Sequence, residues 1–277
     1  MIRSTEGAEI AIHDFGGTGP PLLIVHATGF HAHCYVPMVG ALSDRFRCWG
    51  LDVRGHGGST VAADWKPDWR AFGDDVLAAC AEIAPEGGIV GFGHSMGATS
   101  LLMAAERAPQ CFDRLVLFEP IAYPSGESPP DVTQLPLVQG ALRRRRHFAS
   151  FDHAYENFRS KPPLASLVPE ALRHYVDHGF VEVDGRGDGA GVELVCSPEL
   201  EAQIFMTAPD NGAWNSFPSI VTRTMVIAGH IEGREPAAVA ERIADELPNG
   251  VFVALPHLTH FAPLTHPVEI ADLVALG

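Results

Sequence analysis

Short β-type runs alternate with helix-type stretches along most of this 277-residue chain, and that rhythm narrows the fold more than any other feature. Strand-like runs fall at 22–26, 46–51, 89–92, 115–118, 225–228 and 251–255. Their aliphatic and aromatic content suits a pleated, buried surface. Between them, 74–84 carries Val76, Leu77, Cys80 and Ile83 on one helical face, and 97–107 is rich in helix formers and stops before Pro109. The stretches 237–247 and 268–276 also read as helices. Parallel strands need long crossovers, and crossover helices cover both faces of the sheet. The alternation therefore predicts an α/β fold with a mostly parallel sheet flanked by helices.

One region breaks the rhythm. Residues 121–218 open with a Pro/Gly/Ser-rich stretch at 123–130 and continue with helix-like pieces at 137–148, 153–158 and 169–178. A Gly-rich polar segment follows at 184–191. We read 121–218 as a helical insertion, with 1–120 and 219–277 forming one core domain. At 46% hydrophobic the chain can bury a sizeable core. The longest apolar runs fall far below the ~20 residues that cross a bilayer. The first ten residues carry charges and no apolar signal-like run, so a cytoplasmic location is expected. Acidic residues number 34 against 19 basic, a net charge of −15. That field disfavours nucleic acid and anionic membrane surfaces as partners. It leaves a small-molecule substrate, acted on by a monomer or homodimer. The five cysteines (Cys34, Cys48, Cys80, Cys111 and Cys196) are odd in number and show no CxxC spacing. Reduced thiols are expected, with no disulfide framework and no zinc site.

The chemistry-bearing segment is Gly93-His94-Ser95-Met96-Gly97. It fits G-x-S-x-G between a strand and a helix, where a strained turn exposes a serine hydroxyl at a helix N-terminus. Ser95 is the candidate nucleophile, and a serine needs a base. His260, in Leu258-Thr259-His260-Phe261 between the last strand and the last helix, falls at the same sheet edge. His257 is its rival, and His266 precedes Pro267 at the start of the final helix. An acid must hold the base. Glu119 and Glu232 each sit just beyond a strand end, and local chemistry does not separate them. The Thr28 N–H, in His26-Ala27-Thr28-Gly29-Phe30, and the Met96 N–H are the candidate oxyanion donors. The segment Asp52-Val53-Arg54-Gly55-His56-Gly57-Gly58-Ser59 lacks the lysine of a phosphate loop and the ligand spacing of a metal site. It reads as a structural turn. The run Arg143 to Arg146 is either a grip for a substrate carboxylate or a solvated face.

Taken in order, the segments at His26, Asp52, Gly93, Leu115, Ala228 and Leu258 resemble those of the α/β-hydrolase superfamily, over almost the whole chain outside the insertion. Members usually have His-Gly after the first core strand, where this chain has His26-Ala27. The resemblance implies an eight-stranded, mostly parallel sheet with a helical cap after the sixth strand. It implies Ser95 as nucleophile, His260 as base and Thr28 and Met96 as oxyanion donors. The usual acid follows the seventh strand in G-x-x-D, where this chain has Gly229-His230-Ile231-Glu232. Some members, certain haloalkane dehalogenases among them, use a Glu after the sixth strand, similar to Phe118-Glu119-Pro120. We therefore favour Glu119 and retain Glu232. Dehalogenases and epoxide hydrolases of this fold carry an Asp nucleophile, and Ser95 argues against both. The expected activity is cofactor-free, metal-free hydrolysis of a small or medium ester through an acyl-enzyme. Alternatives are the same triad on C–C, lactone or thioester bonds, perhydrolysis, or a catalytically weak ligand-binding protein.

Overall fold

The most apolar runs form the middle of an eight-stranded sheet. The computed structural model describes residues 1–124, 126–127, 131–184, 189–231 and 236–276. In chain order the first half forms β1 (Ile2–Arg3), β2 (Glu9–Gly17), β3 (Pro21–Val25), α1 (Val36–Leu42), β4 (Arg47–Asp52), α2 (Trp69–Ile83), β5 (Ile89–His94), α3 (Met96–Arg107) and β6 (Phe112–Phe118). Next come α4 (Pro136–Leu142), β7 (His147–Phe148), α5 (Phe151–Arg159), α6 (Pro169–Gly179), β8 (Phe180–Val183), β9 (Gly191–Leu194) and α7 (Pro198–Thr207). The chain returns to the main sheet with β10 (Arg223–Ala228), α8 (Pro236–Glu246), β11 (Gly250–Ala254), α9 (Ala262–Thr265) and α10 (Pro267–Leu276).

The main sheet runs β1-β2-β4-β3-β5-β6-β10-β11. Pairings are parallel from β4 through β11, and β2 pairs antiparallel with both β1 and β4. Alternate residues of one strand feed opposite faces. Leu22 and Ile24 of β3 join Met38, Leu42, Ile270 and Val274 on the α1/α10 side. Leu23 and Val25 join Phe72, Val76, Leu101 and Leu102 on the α2/α3 side. All of these are fully buried, and each such side chain contributes about 1.5–3 kcal/mol. After β3 the chain steps out to β4, then crosses back to place β5 on the other flank of β3. Strand order reverses there, and the loops leaving the C-terminal ends of β3 and β5 diverge to open a crevice.

The sequence reading misses β1, β2 and α1, and it starts the second helix five residues late. Asp68 caps that helix by accepting the Arg70 N–H at 2.9 Å. It also reads helix-like pieces but no strands in 121–218, where the structure adds three short strands. The piece read as a helix over 137–148 ends at Leu142, and His147 and Phe148 pair with Glu193 and Val192 in a three-stranded antiparallel sheet, β7-β9-β8. Phe148 is fully buried against Phe158 and Phe180, a position a continued helix would not give it. Contacts tie this segment to the core: Trp69 Nε1–H donates to Thr207 Oγ1 at 3.0 Å, and the Val168 N–H to the Leu264 carbonyl at 3.0 Å. Among the described residues, no helix is long and apolar enough to cross a membrane.

Candidate active site

Strand β5 ends at His94 and helix α3 begins at Met96, so the turn between them is Ser95 alone, at φ 56° and ψ −113°. A left-handed φ on a residue with a Cβ costs on the order of 1–3 kcal/mol and persists only where the surroundings impose it. Here the Ser95 N–H donates to the Phe118 carbonyl at 2.9 Å, and the Ser95 carbonyl accepts the Thr99 N–H at 3.2 Å. The two motif glycines exist for close approach. A Cβ on Gly97 would stand 2.1 Å from the Val25 carbonyl oxygen, and one on Gly93 would stand 2.5 Å from the Ala98 Cα. Met96 is the first residue of α3, so its N–H has no carbonyl to meet within the helix.

The structure brings Glu119 and His260 together. Glu119, just past β6, is almost fully buried and takes a left-handed φ of 47°. Its Oε1 accepts the Gly229 N–H at 2.8 Å, and its Oε2 is in hydrogen-bond contact with His260 Nδ1. A carboxylate that accepts at Nδ1 leaves Nε2 as the basic nitrogen. His260 is also tied to the residue before Ser95. His94 Nε2 donates to the His260 carbonyl at 2.8 Å, since a carbonyl can only accept, and Tyr35 O–H then donates to His94 Nδ1 at 2.8 Å. The Ala27 N–H donates to the same Tyr35 oxygen at 3.1 Å. One chain of hydrogen bonds thus links the loop after β3, the serine turn and the histidine loop. Burial holds the His94 pKa well below the ordinary histidine value, so the link is neutral. No direct hydrogen bond joins Ser95 to His260 among the described residues. Such bonds commonly tighten only with substrate bound.

Two more neutral imidazoles shape the loop after β3. His26 Nδ1–H donates to the Ala27 carbonyl at 2.8 Å, and its Nε2 accepts the Val53 N–H at 3.0 Å. His56 Nδ1–H donates to the Arg54 carbonyl at 3.2 Å, and its Nε2 accepts the Gly29 N–H at 3.1 Å. Burial pushes the first to about 3 and the second to about 4. With the Phe30 N–H on the Ala27 carbonyl, the hydrogen bonds of this loop account for the N–H groups of Ala27, Gly29 and Phe30. Among the described residues, the Thr28 N–H alone in that run has no partner.

The remaining candidates take other places. His257 pairs with Glu269 at 2.7 Å on the surface, and His266 precedes α10. Glu232 lies outside the described residues. The turn at Asp52 is structural. Asp52 accepts from His13, the Ala32 N–H and the Gly58 N–H, and the wholly buried Arg54 pairs with Asp75 at 2.7 Å. Burial alone would raise the Asp52 pKa, but the His13 hydrogen bond and neighbouring imidazoles hold it below the usual carboxylate range. In the arginine run, Arg143 and Arg146 bond at the exposed surface, and Arg145 lies over the Phe148 ring. Arg144 turns inward. All five cysteines are free thiols. Sequence reasoning misses Tyr35, His94 and His56, and its one available signal was that His94 stands inside the serine motif.

Residues 22–273 match the alpha/beta hydrolase family. Over 101 residues the chain is 35% identical to pimeloyl-[acyl-carrier protein] methyl ester esterase of Methylococcus capsulatus, covering 36% of this chain and 37% of that protein. Over 178 residues it is 29% identical to 2-(acetamidomethylene)succinate hydrolase of Mesorhizobium japonicum, covering 61% of this chain and 58% of the relative. The matches thus span between about a third and three-fifths of these relatives. Among solved structures, an E-2-(acetamidomethylene)succinate hydrolase superposes with a TM-score of 0.78 at 18% identity, over 100% of this chain and 97% of the other. That likeness concerns the fold. The chain is a member of the alpha/beta hydrolase family.

Proposed function

We propose that the protein is a serine hydrolase that cleaves an ester-type bond in a small or medium substrate through an acyl-enzyme at Ser95. The observation that carries this is the hydrogen-bonded pair of buried Glu119 and His260 on the loop that His94 ties to the serine turn. In this reading Ser95 Oγ attacks the acyl carbon and His260 Nε2 takes its proton. The Thr28 and Met96 N–H groups receive the negative charge that develops on the carbonyl oxygen. The protonated His260, held by Glu119, gives its proton to the departing alcohol oxygen. It then takes a proton from the water that attacks the acyl-enzyme, and collapse returns Ser95 and releases the acid. The 121–218 segment acts as a cap over this site. The names of the two relatives, an esterase for a methyl ester and a hydrolase for 2-(acetamidomethylene)succinate, support a hydrolytic reading.

Intact mass after incubation with a fluorophosphonate tests the reading. Wild type gains one adduct and Ser95→Ala gains none. Folded wild-type protein that takes no adduct, or an adduct that survives in Ser95→Ala, overturns it.

A further inference from the structure

Arg144 is the one member of its four-arginine run that faces inward. Its Nη1 donates to Tyr175 Oη at 3.0 Å, and its Nη2 lies 3.0 Å from Glu201 Oε1. Tyr175 and Glu201 are each 1% exposed, whereas the Arg144 side chain keeps 24% of its surface. A guanidinium has five N–H donors, and these contacts engage two. Glu201 and Tyr175 hold the group in place without using up its capacity to bind.

Two routes connect this cluster to the reacting centre. Gly29 follows the proposed oxyanion residue Thr28, and a Cβ built on Gly29 would stand 2.5 Å from Glu201 Oε1 and 3.6 Å from Arg144 Nη1. Given the spacing of neighbouring Cα atoms, the guanidinium lies within about 9 Å of the Thr28 backbone. On the other side, rings run from the base to the cluster. His260 meets Phe261 at 5.8 Å, Phe261 meets Phe30 at 6.2 Å, and Phe30 meets Tyr175 at 5.5 Å. The wall that carries His260 therefore ends at the residue that binds Arg144. The cluster also has an open valence: Glu201 Oε2 is buried with no hydrogen-bond partner among the described residues. A buried carboxylate oxygen is costly to leave unpaired, and a water that donates one hydrogen to it and the other to a ligand carboxylate would satisfy it.

Resting on the serine-hydrolase reading, we propose that Arg144 is a specificity residue, and that the substrate carries a free carboxylate a short chain away from the bond cleaved at Ser95. The guanidinium takes that carboxylate in charge-assisted hydrogen bonds. Glu201 is a positioning residue that orients it. The aromatic wall of Phe30 and Phe261 packs against the carbon chain between the two ends.

Binding to Ser95→Ala, which needs no turnover, separates this proposal from the hydrolytic one. The probes are monomethyl esters of succinate, glutarate and adipate, each titrated calorimetrically beside its dimethyl ester. At the best chain length the monoester is expected to bind about 10–100-fold more tightly than the diester, the range for a hydrogen bond to a charged group. The preference should collapse to within about threefold in Ser95→Ala carrying Arg144→Gln together with Glu201→Gln. That paired change removes both charges and leaves no lone buried carboxylate. Arg144→Lys, which keeps the charge, should retain part of the preference. Equal binding of monoester and diester at all three lengths, or a preference that survives the paired change, overturns the proposal. The fluorophosphonate adduct reports on Ser95 whichever way this titration falls.

Discussion

Glu119 uses both of its carboxylate oxygens, one on the Gly229 N–H and one on His260 Nδ1. Glutamine has a single acceptor oxygen and an NH₂ that cannot accept, so Glu119→Gln must forfeit one of the two contacts. If it forfeits the second, the imidazole loses its orientation and its tautomer. We expect kcat to fall by about 10³–10⁴-fold, by analogy with the triad acid elsewhere, with KM within a few-fold. Glu232→Gln should stay close to wild type. Steady-state kinetics on the two variants decide between them, and a crippled Glu232→Gln beside an active Glu119→Gln would reverse the assignment. Gly97 makes a second prediction at this scale. A methyl group added there has to displace the Val25 carbonyl oxygen, 2.1 Å from where the new Cβ would stand, so Gly97→Ala should cost about 1–3 kcal/mol in urea unfolding. Ser95 and its glycines were legible in the sequence because the motif and both flanks are contiguous. The acid was not, because the two candidates follow β6 and β10, which are neighbours in the sheet, and sequence alone does not show that Glu119 meets His260.

At the scale of elements, the site is an agreement between loops that leave different strands. Tyr35 precedes α1, His94 ends β5 and His260 precedes α9, and their hydrogen bonds hold three loops in mutual register. Tyr35→Phe removes the acceptor of the Ala27 N–H and the donor to His94 Nδ1 together. Two buried groups are left unpaired, each of which should cost about 1–3 kcal/mol of stability. Because the same loops carry Thr28 and His260, kcat should drop with it, by about tenfold for roughly 1.4 kcal/mol of misplacement. Urea unfolding and kcat on the same preparation check this, and a variant as stable and active as wild type would remove the relay from the account. No local pattern announces such a link, since its members are spread from Ala27 to His260. The strands of the 121–218 segment were illegible for a related reason. β7 has two residues and β8 and β9 four each, too short for a period of two to emerge. Their pairing depends on partners far along the chain. The parallel core was legible because each of its buried strands is a continuous apolar run.

At the scale of the whole molecule, several neutral imidazoles lie in the interior. His26, His56 and His94 are wholly buried and His31 almost so. Burial lowers the pKa of each, to about 3 for His26 and about 4 for His31 and His56. In the unfolded chain each reverts to an ordinary value near 6.5. Between about pH 6.5 and 4 the unfolded state therefore binds protons that the folded state refuses. Stability is fully present above 6.5 and is lost as pH falls, each buried histidine removing about 1.4 kcal/mol per pH unit. Asp52 acts in the opposite part of the scale. Its depressed pKa confers stability above the unfolded carboxylate value near 3.9, which is lost only below it, so the histidine window stands clear. His56→Gln keeps an N–H for the Arg54 carbonyl and an acceptor for the Gly29 N–H while removing the titration. Urea unfolding from pH 7.5 to 5 should give a free energy that falls steeply in wild type. In His56→Gln the slope should be shallower by about 1.4 kcal/mol per pH unit. A wild-type stability flat across that range, or a slope indifferent to the substitution, would mean that these imidazoles already carry protons in the folded state. The hydrogen bonds of the loop after β3 would then run in other directions than those His26 and His56 show as neutral rings.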